Sequence, residues 1–143
     1  MQVLIILLVG LLLYFRPADA QVTVQVLAQN SVTWDGGDFR YPTAIPQITV
    51  VKIKVPQGAQ LPEHCHPVPL AAYVAKGAIQ VTTSAGVQAV FNEGQSFIED
   101  MNRWHRGVGV GTDTELIVVY AGAKDLPLSL DRNGQAELVK ECE

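Results

Sequence analysis

From Gln21 onward the chain alternates short β-branched runs with turns, and this rhythm constrains its fold more than any other feature. Val22, Val24 and Val26 alternate with Thr23, Gln25 and Leu27. Ile48 to Val55 is rich in isoleucine and valine. Further runs cover 72–75, 79–83, 89–91, 96–98 and 115–120. Turn residues punctuate them at Pro56-Gln57-Gly58, Lys76-Gly77, Ser84-Ala85-Gly86, Asn92-Glu93-Gly94 and Gly111-Thr112-Asp113. Runs this short, with glycine at the breaks, predict strands joined by tight turns. No amphipathic stretch of helical length follows residue 20, so an all-β sandwich or barrel is expected. The stretch 34–46 reads as an irregular loop, and 126–143 as an edge strand followed by a loose tail.

The chain has 143 residues, enough for one domain with a core and too few for two. Its formal charge is −4, with no run of like charges. Nucleic acid and anionic membrane surfaces are therefore poor partners. Residues 3–15 are almost unbroken apolar, and Ala18-Asp19-Ala20 follows. This pattern predicts a signal peptide over 1–20, a mature domain over 21–143, and a periplasmic or secreted location. No Lys or Arg precedes the apolar run, so an uncleaved N-terminal anchor is the alternative, and the only membrane contact expected. Export would put Cys65 and Cys142 in an oxidising compartment, where either a disulfide or two separate thiols is consistent with the sequence.

Three histidines carry the chemistry. His64 and His66 stand two apart, and His105 is the only other one. Residues two apart on a strand share a face, so two imidazoles can aim at one point while Cys65 turns away. A third imidazole from a distant strand would complete a metal site with positions left for water or substrate. The bland alternative is a polar edge pair with an unrelated third histidine.

Two blocks contain these histidines. The first runs from Gly58 through His64-Cys65-His66 to Gly77, and the second from Gly94 to His105. Their offsets resemble the two motifs of the cupin superfamily. The resemblance implies a double-stranded β-helix, or jelly roll, behind the N-terminal hydrophobic leader. It implies His64, His66 and His105 as ligands to one divalent metal. The Trp34-Asp35-Gly36 segment is similar to one found in small exported cupins.

Several positions depart from the family pattern. Leu70 stands where the first motif has its glutamate. Asp100 and Asn102 replace a proline and a glycine of the second motif, and Gly109 replaces an asparagine. Losing the glutamate leaves three neutral imidazoles, a set suited to Fe²⁺ or Zn²⁺, with Mn²⁺ and Ni²⁺ as alternatives. Thiol dioxygenases resemble this three-histidine arrangement. A replacement carboxylate is conceivable. Glu63 faces opposite to His64 by strand parity, which leaves Glu99 and Asp100, and these two are also the candidate catalytic acid or base. Tyr73, Trp104 and Tyr120 are candidate pocket walls, Trp104 first among them.

These readings predict a protein that binds one divalent metal and a small-molecule substrate or ligand. They leave its enzymatic status open, with oxygenase- or isomerase-type chemistry as the leading catalytic option. A non-catalytic ligand-binding module is the alternative, and a two-fold homodimer the default assembly.

Overall fold

The computed structural model describes residues 21–143; the expected leader, residues 1–20, lies outside the described residues. Five strands and one helical turn follow in order: β1 (Pro46–Val55), β2 (Leu70–Thr83), β3 (Gln88–Asn92), β4 (Ser96–Ile98), β5 (His105–Ala123) and α1 (Ala136–Val139). All pairings between the strands are antiparallel. The order across the sheet is β1-β5-β2-β3, with β4 also on β2. No helix among the described residues is long and apolar enough to cross a membrane.

Two long strands make the sheet fold back on itself. The first half of β5 pairs with the second half of β2, from Thr83↔His105 to Ala78↔Val110. The second half of β5 pairs with the first half of β2 and, on its other edge, with β1. Register shifts between Val74 and Ala78 separate the two halves. Bulges of this kind bend a strand and raise its twist, which lets one strand serve both walls of a jelly roll.

Gly77 sits in this bend at φ +74°, where an added Cβ would stand 2.7 Å from the Asp113 carbonyl oxygen. Only glycine fits such a place without displacing backbone. Gly109 has a different reason: its Cβ would lie 2.9 Å from the Pro56 carbonyl oxygen. An asparagine at this position, as in the family pattern, would force β5 away from the turn after β1.

Alternation along the strands fills the interior. Leu70, Ala72 and Val74 point inward from β2, with Ile79 and Val81 beyond the bend; Leu116, Val118 and Tyr120 do so from β5. Phe97 and Val55 complete the core, and Phe91 stacks on Phe97 with ring centres 3.8 Å apart. The period-2 pattern read from the sequence thus places one apolar face on each wall.

Two expectations need correction. The alternating segment 22–26 forms no strand; Val22, Val24 and Val26 are 88%, 90% and 67% exposed. Alternation supplies a face but not a partner, and no described strand pairs with this segment. The C-terminal stretch is not a loose tail. Leu130 exchanges backbone hydrogen bonds with Cys65, α1 makes one turn, and the Glu143 carbonyl accepts from the Trp104 amide at 2.9 Å. A disulfide joins Cys65 to Cys142, closing a separation of 77 residues.

A cross-link over so long a loop restricts the unfolded chain strongly, by about 4 kcal/mol in the loop-entropy account. Cys142→Ser is therefore expected to lower the midpoint of thermal unfolding by roughly 10 °C. Calorimetry of the oxidised wild type and the variant checks this; a shift of a degree or less would mean that the bond closes a loop already held by its other contacts.

Candidate metal centre

His64 and His105 form an isolated antiparallel bridge, each amide donating to the other's carbonyl at 2.9 Å. Directly opposed residues on an antiparallel pair project to the same face. His66, two positions on, shares that face. Cys65 turns to the other side and bridges to Leu130. The short His64–His66 segment is thus clamped between β5 and the C-terminal chain.

The three rings meet at centroid distances of 4.5 Å (His64–His105), 4.8 Å (His64–His66) and 5.0 Å (His66–His105). One nitrogen from each lies within 4.8 Å of the other two, a grouping that could hold a metal ion. Each Nδ1 is committed to a backbone carbonyl: His64 to Pro62 at 2.8 Å, His66 to Leu128 at 2.7 Å, His105 to Arg103 at 2.9 Å. With a carbonyl as partner, Nδ1 must carry the proton, so each Nε2 presents a lone pair. Such bonds fix the tautomer and the orientation of imidazoles that bind metal. His105 Nε2 is buried and has no hydrogen-bond partner in the protein. A buried acceptor without a donor is costly, and a cation would satisfy it.

Burial holds all three imidazoles below their ordinary value. His66 is pushed furthest, with His64 and His105 adding to the effect. The rings are therefore neutral at pH 7, the form that binds metal.

The rings face a chamber of about 40 Å³ inside the barrel, with room for about three water-sized groups. Its other walls include Leu70, Phe97, Glu99, Leu116 and Tyr120. A wider vestibule of about 380 Å³ shares Ile53, Leu61, His64, His66 and Tyr120 with it and opens past Glu63, Ser129 and Asp131. Among the described residues, no Lys or Arg lines either space.

The two proposed carboxylates diverge. Glu99 enters the chamber: its Oε1 stands 3.9 Å from His105 Nε2, and its side chain is 12% exposed. Burial raises this carboxyl to about 7. Asp100, the next residue along, lies fully buried on the far side and lines neither space. It lies beside Asp35, which accepts from Thr33 Oγ1 at 2.6 Å and pairs with Arg103, and neither of its own buried oxygens has a hydrogen-bond partner. Asp100 is thus part of the scaffold rather than an acid or base at the chamber. Glu63 pairs outward with Arg132 at 2.8 Å, as strand parity predicted.

Of the three aromatic candidates, Tyr120 is the one that lines the chamber, its ring 5.6 Å from that of His66. Burial, then the nearby Glu99, pushes its phenol up to about 12, so it stays a neutral donor. Trp104 instead packs under the Arg132 guanidinium, 4.4 Å from the ring centroid.

The Trp34–Gly37 loop closes the base of this region. The Trp34 amide donates to Ile98 at 2.9 Å and its ring meets Phe91 edge-on. Two neighbouring buried carboxyls are held together without repulsion only if one keeps its proton. Burial, then the adjacent Asp35, raises Asp100 to about 8. Burial would raise Asp35 too, but the adjacent Asp100 and the bonds from Thr33, Arg103 and Gly37 outweigh this and hold it at about 2.

The chain carries a cupin domain: a cupin-domain family matches residues 51–120, from within β1 to within β5, and includes all three histidines. An RmlC-like cupin from Shewanella frigidimarina is 29% identical, with 55% of this chain and 69% of that one aligned at a TM-score of 0.48. A recombinant oxalate oxidase in complex with glycolate is 21% identical over 58% of this chain and 45% of that one, at 0.51. A structure of DMSP lyases is 16% identical over 58% and 43%, also at 0.51. The chain thus spans less than half of the oxidase and lyase chains, and at those identities the likeness is one of fold. No curated protein matches the chain.

The native fold holds one proton on the Asp35–Asp100 pair at pH values where the unfolded chain, with Asp100 near 3.8, has released it. Stability from Asp100 is therefore present at low pH and lost as pH rises towards about 8, whereas that from Asp35 is lost as pH falls towards about 2. Asp100→Asn keeps a neutral group beside Asp35 and removes the titration. Its stability relative to wild type is expected to climb between pH 4 and 8, by at most about 1.4 kcal/mol per pH unit. Urea unfolding at pH 5 and pH 8 measures this, and a difference that does not change with pH would count against a shared proton.

Proposed function

We propose that this cupin is a mononuclear metalloprotein in which His64, His66 and His105 hold one divalent ion, with Fe²⁺ favoured, and that it acts on a small molecule by oxygenase- or isomerase-type chemistry. The carrying observation is the convergence of three neutral imidazoles, each fixed through Nδ1, around an unpartnered Nε2 in an internal chamber. When bound, such an ion supplies a Lewis acid and a template for orienting substrate. Iron is favoured because an all-imidazole set with open positions suits it, as it does zinc.

The protein's own groups set the limits on the substrate. The apolar walls exclude bulk water and admit small groups only. Tyr120 offers a neutral hydrogen-bond donor beside His66. No Lys or Arg of the described residues stands in the lining. Arg132 at the mouth is already engaged by Glu63 beside Asp131, so a dianionic substrate meets no free cationic side chain there. A neutral or singly charged molecule is the better fit. The Cys65–Cys142 bond supports a periplasmic or secreted location, where such bonds persist.

A non-catalytic ligand-binding module is the second reading, and the vestibule favours it: at about 380 Å³ it is large enough for a small ligand that never reaches the inner chamber.

Untagged protein is expected to carry about one divalent ion per chain by elemental analysis. His105→Ala should lose that ion with an unchanged circular dichroism spectrum, its affinity falling well beyond the tenfold typical of a lost outer contact. Full occupancy in the variant would refute the ligand set. Oxygen consumption with thiols, diketones and aromatic diols then separates an oxygenase from a binding module.

A further inference from the structure

We infer that Glu99 is the carboxylate arm of the metal centre, transposed across the β2–β4 pair from the position that Leu70 now fills. The inference rests on the three-histidine reading above and deepens it. Leu70 opens β2, is buried and lines the chamber. Across from it, Ala71 pairs with Ile98, and the Glu99 amide donates to the Leu70 carbonyl at 3.1 Å. Leu70 and Glu99 are therefore opposed residues of an antiparallel pair. Their side chains emerge on one face, about 5 Å apart at Cβ. Both line the same chamber. A glutamate on either strand can bring its oxygens to the same volume, because its side chain spans the distance between neighbouring strands.

The ligand atoms that lie within 4.8 Å of one another belong to the three histidines, and Glu99 stands beside that group, within reach of one of them. Glu99 Oε1 stands 3.9 Å from His105 Nε2, too far for a hydrogen bond. Two ligands sharing an ion through bonds of about 2.1 Å lie roughly 3.0–4.2 Å apart. Glu99 has little else to hold it. Its one protein hydrogen bond is a long contact of 3.4 Å from the Asp100 amide. The indole Nε1 of Trp34 is buried without a partner. Arg103 is engaged by Asp35 rather than by Glu99.

A carboxylate in the first shell changes the centre's character. It halves the net charge of a divalent ion and adds a hard oxygen, which shifts preference towards Mn²⁺ and Fe²⁺. It also removes Glu99 from service as a free acid or base. Leu70 then becomes the residue that leaves room for the arriving carboxylate.

Chelator competition on the full-length, disulfide-bonded protein tests this without reference to activity. Glu99→Gln keeps the volume and is expected to weaken Mn²⁺ binding at least about tenfold, weaken Zn²⁺ less, and alter the visible spectrum of the Co²⁺ form. The double variant Leu70→Glu, Glu99→Leu is expected to recover Mn²⁺ affinity relative to Glu99→Leu alone. If Glu99→Gln binds every metal within twofold of wild type and leaves the Co²⁺ spectrum unchanged, Glu99 is not a ligand. If the double variant folds but recovers nothing, the transposition is wrong. Wild-type protein that binds none of these ions would instead refute the three-histidine reading itself.

Discussion

Two backbone hydrogen bonds between His64 and His105 bring residues from separate parts of the chain into register, and the geometry of the centre follows from them. They oppose the two imidazoles on one face, and the two-residue period of the strand then delivers His66. The same segment is fixed on its other edge by Leu130 and beneath by the disulfide at Cys65. Asn102 completes the clamp: its amide donates to the His66 carbonyl, and its own carbonyl accepts from Glu143. The C-terminal stretch is thereby structural support for the histidines rather than an appendage. Each net hydrogen bond contributes only about 1 kcal/mol, so the rigidity comes from convergence of several on one short segment.

The fold and the histidines were legible in the sequence for the same reason: both depend on local spacing. Alternation within 48–55, 79–83 and 115–120 marks strands whatever they pair with, and the glycines at 58, 86 and 94 mark turns. Lys76-Gly77 and Gly111-Thr112-Asp113 also read as breaks, whereas they lie within the continuous strands β2 and β5. Strand parity separated His64 from Glu63 correctly. What stayed illegible depends on pairing. The 22–26 segment has the alternation of a strand and lacks a partner in the described residues. Glu99 and Leu70 are 29 positions apart and become neighbours only through the β2–β4 register. Parity across 99–105 could not be carried through the turn, so Glu99 and Asp100 were indistinguishable until that turn was seen. The disulfide was undecided because spacing along a chain says nothing of Cα separation, here 6.3 Å.

Of the aromatic residues, adjacency to His105 made Trp104 the leading wall candidate. Adjacency along a strand means opposite faces, so a residue on the inward parity of β5 makes the better wall. Tyr120 has that parity, pointing inward with Leu116 and Val118. The signal was present in the alternation and was outweighed by proximity in sequence.

The departures from the family motif form one connected solution rather than a scatter of losses. Asn102 takes the place of a glycine and adopts φ +57°, a conformation asparagine tolerates better than most residues, so the turn before His105 survives. Asp100 takes the place of a proline and trades a rigid ring for a buried carboxyl beside Asp35, which Arg103 holds in turn. Through Asp35, that cluster anchors the Trp34–Gly37 loop beneath β4. With its backbone fixed between Leu70 on one side and this cluster on the other, Glu99 has one direction left for its side chain: the chamber. A carboxylate in that position is costly to bury alone, and a cation held on three imidazoles would stabilise it. The loss of glutamate at position 70 and the gain of glutamate at position 99 are, on this view, the two halves of one exchange across a single strand pair.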